Sequence, residues 1–526
     1  MSSADMRRLS ESSLDLVVVG GGAMGCALAW EAASRGLRIA LFEQADFGNA
    51  VSANSLRIVH GGLRYLQKLD IGRARYSAGE RSALLRIAPN LVRPLKCSVL
   101  TLPSLMRSRP VFAAGLLANA LVTWDRNRGL DADRRLPSGG LSSLADYMAA
   151  ADGIISDGAT GAAYWYDGVL LDPWRLCLAF ALSAEARGAH VRNHTVVERV
   201  ETVDPSRSAR VFVRDLLSDE AVELTASSVA DCRSLAGASL FDPATIAPAA
   251  DNMVVAVNVL LATQRVAHAV GFPGRDRDGQ VVPGRLYFAT PQSHGTALGT
   301  WYFGADSVSR DGSLEPRLIE HILAEINAAT VWSLTARDIA SVQIGRLPAK
   351  PASQLSEPEP AERPSVQRDP QAGAASVWQV QTEKWTTVRG VAESALDAIA
   401  EDAGLDATPS QTKITPLYGN ETRDSDALRT ELDHVLPAGC PVAVRQRIAA
   451  RHGSNAPSIA RRIAADPAMA ETLPEASDLC LAEVDYAIAH ERPRTLEDLM
   501  QRRLGLKDSS GELAAILAAR MQATAG

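Results

Sequence analysis

Residues 14–25 read Leu-Asp-Leu-Val-Val-Val-Gly-Gly-Gly-Ala-Met-Gly, and the reading of this stretch decides the fold. Leu14–Val19 is a short apolar run rich in β-branched residues that ends abruptly in glycines, the pattern of a buried parallel strand. Gly20, Gly22 and Gly25 stand in G-x-G-x-x-G register. The first allows a tight turn, the second lets backbone approach a pyrophosphate, and the third lets helix pack on strand. The small residues of 23–35 then predict a helix closed by Gly36, its N-terminus facing an anion. Leu37–Phe42 predicts a second strand, and Glu43, eighteen residues after Gly25, is placed to accept the hydroxyls of an adenosine ribose. Strand, glycines, helix, strand and acid in that order read as a dinucleotide site; they do not separate NAD from FAD.

Outward from this stretch, a chain of 526 residues predicts two or three domains. Hydrophobic content of 46% and charged content of 22% are ordinary for a soluble globular protein, and a net charge of −7 offers no basic excess for nucleic acid. Six scattered cysteines without C-x-x-C spacing argue against a zinc site or a disulfide framework and point to a reducing compartment. Residues 1–13 are polar, have no apolar signal-peptide core, and are expected to be disordered. Leu105–Asn127 carries the apolar run Val111–Val122 between Arg107, Arg109 and Trp124, Arg126, Arg128, and reads either as a core helix or as an interfacial one. Residues 253–304 predict an antiparallel sheet, 349–375 a surface loop, and the chain from Ser394 onward a helical domain with Ser454 and Ser477 as cap candidates. His190 and His194 alternate on a strand, but no carboxylate or thiol cluster joins them, so no metal site is expected.

Ser52–Leu66 reads Ser-Ala-Asn-Ser-Leu-Arg-Ile-Val-His-Gly-Gly-Leu-Arg-Tyr-Leu. It closely resembles the segment by which FAD-dependent glycerol-3-phosphate dehydrogenases, in the D-amino-acid-oxidase-like flavoprotein superfamily, cover the flavin and reach the substrate. The resemblance continues at Glu80-Arg81, Ala88–Val92, Tyr166-Asp167-Gly168, Asp172–Leu176 and Glu483–Glu491, and spans about residues 14–506. It implies an α/β fold: a Rossmann-like FAD-binding domain interleaved with an antiparallel-sheet substrate domain, plus a C-terminal all-helical domain. The first two would share 14–400, with substrate parts at about 99–150 and 251–335, and the last would take 401–526.

The resemblance implies non-covalent FAD. The glycine loop would hold it through Gly20, Gly22, Ala23, Met24 and Gly25, the ribose through Glu43 and Gln44, and the adenine beside Val197. Ser52, Asn54, Ser55, His60, Gly61 and Gly62 would follow the cofactor toward its ring, which Lys384, Trp385 and Thr386 would border. The implied reaction is oxidation of the alcohol of a small phosphorylated or phosphonate substrate by hydride transfer to flavin. His60, Lys384 and Arg346 are the residues assigned to the reaction, and Arg64, Tyr65, Arg346 and Arg368 those assigned to the substrate. A guanidinium suits phosphate because it donates in a planar fork. Lys384 is one of only six lysines against 48 arginines, and a cation at the ring stabilises negative charge there. His60 reads equally as the base and as a structural histidine beside two glycines. The resemblance leaves the electron acceptor open among a quinone, oxygen and other carriers. It implies a cytoplasmic protein and allows peripheral contact with the inner membrane face and a homodimer.

Four departures cluster around the ring and the reacting carbon. Ala230-Asp231-Cys232-Arg233-Ser234-Leu235 stands for the family's Asn-Ala-Thr-Gly-Pro-Trp, Thr382-Glu383 for Gly-Gly, Asn252-Met253 for Ser-His, and Gly299-Thr300-Trp301-Tyr302 for Gly-Thr-Thr-Asp. They leave two readings. One is a flavoenzyme retuned away from plain glycerol 3-phosphate, by bulk at Trp301 and Arg233 and loss of a histidine at Met253. The other is a catalytically lapsed relative kept as a binding or regulatory subunit.

Overall fold

The computed structural model describes the chain apart from residues 1–5, 7, 8, 12, 204–207, 234–238, 242–252, 277, 294, 309–311, 351–358, 374, 422, 423, 507–510 and 526. In chain order the strands of the first half are β1 (Ser13–Val19), β2 (Ile39–Phe42), β3 (Ile58–Val59), β4 (Val92–Thr101), β5 (Gly140–Ser142), β6 (Gly161–Leu170), β7 (His190–Arg192), β8 (Thr195–Val203) and β9 (Ser208–Asp215). Those of the second half are β10 (Ala221–Asp231), β11 (Met253–Leu261), β12 (Ala269–Arg275), β13 (Val281–Gln292), β14 (Gly295–Gly304), β15 (Ile339–Pro348), β16 (Ser365–Arg368), β17 (Ser376–Gln381), β18 (Thr472–Leu473) and β19 (Ala476–Cys480).

The glycine-punctuated opening folds as a strand–helix–strand unit. β1 pairs parallel with β2, and the helix Ala23–Ser34 between them is apolar all round and buried from Ala23 to Ala33. Such a helix needs cover on every side. It has the sheet beneath it and shares one core with Phe180 and Leu396 from the helices Pro173–Glu185 and Val388–Ala403, its Trp30 ring 5.4 Å from that of Phe180. The first sheet runs β16-β17-β10-β1-β2-β7, with β9 joining β8 to β10. β10, β1, β2, β7 and β17 are parallel, so their carboxyl ends share one edge, and the order reverses about β1. Ligands of open α/β sheets bind in the crevice at such a reversal. Gly20–Gly25, Glu43, Arg233 and residues 382–387 all lie on that edge.

The second sheet runs β15-β11-β14-β13-β12-β4-β6-β3, with β5 on β6, and is antiparallel apart from the β12–β4 pair. It extends beyond the expected substrate parts, from Ile58 to Pro348, because β3 pairs with β6 at one edge and β15 covers the edge of β11 along its whole length at the other. Helices Ser425–Val435, Val442–His452, Ala456–Ala465, Leu481–His490 and Gly511–Ala525 form the C-terminal domain. A small hairpin, β18–β19, takes up Ser477, which therefore caps no helix. This domain meets the first through buried charge: Arg175 holds Glu491 in a two-pronged pair at 2.7 and 3.0 Å.

Two expectations are corrected. Met6 and Leu9, inside the stretch expected to be disordered, are buried against Val17, Val19 and Val197, a three-residue spacing that gives one apolar helical face within a polar segment. His194, expected to alternate with His190 on one strand, lies in the turn between β7 and β8 with φ +49°, its Nε2 hydrogen-bonded to the Asp498 carboxylate of the C-terminal domain at 2.9 Å. Asn252, Ser234, Leu235 and residues 351–358 of the expected surface loop lie outside the described residues.

Candidate functional site

The nucleotide half of the crevice is built by backbone. Gly20 has φ +98°, and a Cβ on Gly25 would collide with the Gly20 carbonyl, so two glycines of the loop answer to conformation and to helix–strand contact. Beside Gly22 the nearest atom to a Cβ would be Ser52 Oγ at 3.0 Å, so only Ser52 stands at the mouth of the helix there. Ser52 Oγ accepts the Ala23 N–H at 2.9 Å, and Trp385 Nε1 donates to the Ser52 carbonyl at 3.1 Å. Glu43 accepts the N–H groups of Gly21 at 2.6 Å and Ala45 at 2.8 Å, while burial raises its pKa above the ordinary carboxylate value. Asn54 donates to the Ile344 carbonyl at 2.8 Å and so ties this segment to the second sheet, while Ser55 Oγ accepts the Arg57 N–H at 3.2 Å. Val197 is buried in the hydrophobic core under β8, and Gln44 is exposed beside Glu43. Arg233 runs past Gly20 and grips Asp231 at 2.8 and 2.9 Å.

His60-Gly61-Gly62 is explained from far along the chain. Asp167, fully buried on β6, accepts the Gly61 N–H at 2.7 Å, Arg81 at 2.7 Å, Trp165 Nε1 at 3.0 Å and His60 Nδ1 at 3.2 Å. Desolvation would raise the Asp167 pKa, but these donors and the Arg81 charge hold it well below the usual carboxylate range. A Cβ on Gly61 would collide with the Arg81 guanidinium, and Gly62 has φ +86° to start the turn Leu63–Leu66. An ionised Asp167 only accepts, so His60 Nδ1 carries a proton, and in the neutral ring Nε2 is the acceptor. Arg81 and Asp167 both fall in segments that resemble the family; their pairing around His60 has no local sequence signal.

Lys384 donates to Tyr65 Oη at 2.6 Å, and Arg73 reaches the same oxygen at 3.2 Å. Glu383 lies 3.5 Å from Lys384 with Oε2 buried and unpartnered among the described residues; burial raises its pKa. Lys384 is followed by Trp385–Thr387 and the helix Val388–Ala403, which the buried Arg389–Glu80 pair, at 2.6 and 2.7 Å, fixes to the helix Ile71–Ile87.

The second sheet supplies the facing wall, and strand alternation decides which of its side chains take part. Gly345 lies against Val51, since a Cβ there would come within 2.6 Å of Val51 Cγ2. Its cross-strand row is Gly345–Ala256–Tyr302, and the next is Gln343–Asn258–Gly299–Phe288. Phe288 meets His60 edge-on at 6.3 Å, so both rows face the crevice. The opposite face carries Met253, Val255, Trp301 and Phe303. Trp301 stacks on Tyr287 and donates to Glu325 at 2.9 Å in the core under the helix Pro316–Ala329. Trp301 and Met253 therefore add nothing to the crevice, and the residue that does is Tyr302. A local bulge at Thr300, between Gly299 opposite Asn258 and Trp301 opposite Val257, settles that choice, and no pattern in the sequence reveals it.

Alternation likewise places Arg346, opposite Val255, on the far face from Gly345. Arg368, on the edge strand β16, is engaged by Asp402 at 3.3 Å and the Ala375 carbonyl at 2.9 Å. Arg64 is exposed, has no hydrogen-bond or ion-pair partner among the described residues, and its charge is felt by Tyr302. The three arginines expected on one phosphate are thus not brought together.

A glycine loop at a helix N-terminus, a carboxylate at the end of β2, and Gln343 Oε1 and Glu383 Oε2, both without a partner among the described residues, fit a dinucleotide carried through to a redox ring. The crevice is that of a dinucleotide-dependent oxidoreductase. Residues 15–344 match the family model "FAD dependent oxidoreductase", and residues 410–524 match "C-terminal domain of alpha-glycerophosphate oxidase". The chain belongs to the FAD dependent oxidoreductase family, and FAD is its cofactor. It is similar to "Glycerol-3-phosphate dehydrogenase 1" of Mycobacterium tuberculosis, 26% identical over 515 residues, 95% of this chain and 93% of that one. It is also similar to "Glycerol-3-phosphate dehydrogenase" of Synechocystis sp., 27% identical over 517 residues, 95% and 90% of the two chains. The glycerol-3-phosphate dehydrogenase of Bacillus halodurans, solved with FAD, shares the fold at a TM-score of 0.68 and 21% identity, covering 95% of this chain and 87% of that one.

Proposed function

We propose that the protein oxidises the secondary alcohol of a small phosphorylated or phosphonate substrate, with glycerol 3-phosphate the reference compound. The observation that carries this reading is His60, aligned by a buried Asp167, on the same short segment as Arg64 and the Tyr65 that Lys384 holds. FAD, when bound, accepts the hydride. His60 Nε2 takes the hydroxyl proton, a role worth roughly 10²–10⁴-fold in rate. Lys384 holds Tyr65 Oη by donating to it, which leaves the phenolic proton for a substrate oxygen. Arg64 offers an unengaged cation for the phosphate. The near-full-length likeness to glycerol-3-phosphate dehydrogenases supports the same chemistry. The lapsed-relative alternative finds no support, since the fingerprint, His60 and Lys384 are intact. The expectation of a substrate other than glycerol 3-phosphate loses Trp301 and Met253 and rests on Tyr302, Arg233 and Glu383. Anaerobic mixing of the flavoprotein with glycerol 3-phosphate tests the reading: bleaching of the flavin supports it, and an unbleached flavin with every phosphorylated alcohol tried sinks it.

Peripheral membrane contact is part of the proposal. No helix among the described residues is long and apolar enough to cross a membrane. Yet the helix Arg109–Val122 buries only Leu116, and Leu105 and Trp124 at its two ends are 82% and 74% exposed with Arg107 and Arg128 nearby. An apolar face edged by arginines suits an anionic bilayer surface. Co-sedimentation with anionic vesicles, lost on Leu117→Asp with Leu121→Asp, checks it; equal pelleting of both proteins contradicts it.

A further inference from the structure

We propose that Tyr302 closes the substrate slot and, with Arg64, seats the substrate's phosphate, in the place the resemblance gives to Arg346; this rests on the reading of a phosphorylated substrate. Three observations meet at this residue. Tyr302 is the one large side chain of the row Gly345–Ala256–Tyr302, so its ring stands over space that its neighbours leave open. It is 38% exposed, although burial of the phenol raises its pKa against the opposing influence of the Arg64 charge. A tyrosine both lodged in a wall and open on one side is placed to touch a ligand.

The hydrogen bonding of the phenol supplies the chemistry. The Thr300 hydroxyl beside Tyr302 donates to Asn258 Oδ1 at 2.8 Å. Thr300 has its single proton committed to Asn258, and Tyr302, open on one side, keeps its own O–H as a donor for a ligand. A phosphate oxygen is a stronger acceptor than a hydroxyl, and a charged partner about doubles the strength of the bond. The phenol can therefore give its proton to a phosphate oxygen, while Arg64 contributes the charge. Neither Arg346, on the opposite face, nor Arg368, engaged by Asp402, competes for the same anion.

The test uses the FAD-loaded protein and its Tyr302→Phe, Tyr302→Ala and Arg346→Ala variants. The dissociation constants of inorganic phosphate and glycerol 3-phosphate are read from the change each causes in the flavin spectrum, and the limiting rate of anaerobic reduction is measured separately. Tyr302→Phe should weaken both ligands about tenfold or more, the value of a hydrogen bond to a charged group, and leave the limiting rate in place. Arg346→Ala should bind both as the parent does. Tyr302→Ala should in addition admit a longer phosphorylated alcohol, erythritol 4-phosphate, that the parent excludes. Unchanged phosphate binding in Tyr302→Phe, or a loss that falls on Arg346→Ala instead, overturns the proposal while leaving the reading of the reaction standing if the parent is bleached. A parent never bleached by glycerol 3-phosphate, with phosphate binding still dependent on Tyr302, overturns the substrate reading and leaves the seat.

Discussion

Replacing His60 with asparagine separates its two readings, because the structure predicts opposite sizes for its catalytic and structural effects. The ring is 52% exposed and makes one hydrogen bond, Nδ1 to Asp167 Oδ2 at 3.2 Å. With it gone, Asp167 Oδ2 still accepts Trp165 Nε1, and Oδ1 still accepts Gly61 and Arg81, so no buried charge is stranded. The stability change should stay within about 1 kcal/mol. Loss of a positioned base should lower the rate of flavin reduction by roughly 10²–10⁴-fold, or about 3–5 kcal/mol of barrier at about 1.4 kcal/mol per tenfold. The assay is anaerobic rapid mixing with saturating substrate, alongside a thermal unfolding midpoint on the same samples. A variant that reduces its flavin as fast as the parent would refute the assignment of the base. One that is as fast but markedly less stable would make His60 structural. Asp167→Asn should slow reduction too, but with a lowered midpoint, because Arg81, 3% exposed, loses its counter-charge.

Gly22→Val should yield a colourless protein with native far-ultraviolet dichroism, since even a Cβ there meets Ser52 Oγ at 3.0 Å; a flavin-loaded variant would contradict the placement of the pyrophosphate. Glu80→Gln, which strips Arg389 of its two-pronged buried partner and leaves it Glu393 and Thr412, should cost roughly 1–3 kcal/mol in denaturant unfolding, and no loss of stability would show that the pair does not fix residues 384–387. Acid should unfold the protein between about pH 5 and 2. Arg447 and His452 hold Glu483 at about 2, and Arg175 and His452 hold Glu491 well below its ordinary value. Groups depressed on folding stabilise above their unfolded pKa and cease to as pH falls toward the folded one, so an unfolding midpoint flat from pH 6 to 3 would count against these pairs.

What the sequence made legible is what local geometry dictates. Gly20, Gly22, Gly25 and Glu43 act within one strand–helix–strand unit, and each sits where its spacing put it. Whatever depends on partners distant in the chain was hidden. Gly61 is required because Arg81 occupies its flank, and His60 is aligned from β6, a hundred residues on. Trp301 and Tyr302 could not be told apart beforehand, since a bulge at Thr300 sets which of two neighbours faces the crevice and a one-residue slip reverses every side chain. The same parity removes Arg346 from the wall that its family counterpart lines. Met6 and Leu9 are two apolar residues in a polar segment, too few to register as a pattern though enough to bury against β1.

The central claim is that this crevice holds FAD and passes to it a hydride from a phosphorylated alcohol. The visible absorbance of the purified protein, followed while glycerol 3-phosphate is mixed in without oxygen, tests it most directly. The account predicts a yellow protein whose flavin bands fall with a rate that saturates in substrate and that collapses in His60→Asn. A protein that takes up no FAD, or a bound flavin left oxidised by glycerol 3-phosphate and its phosphorylated and phosphonate relatives alike, would contradict it.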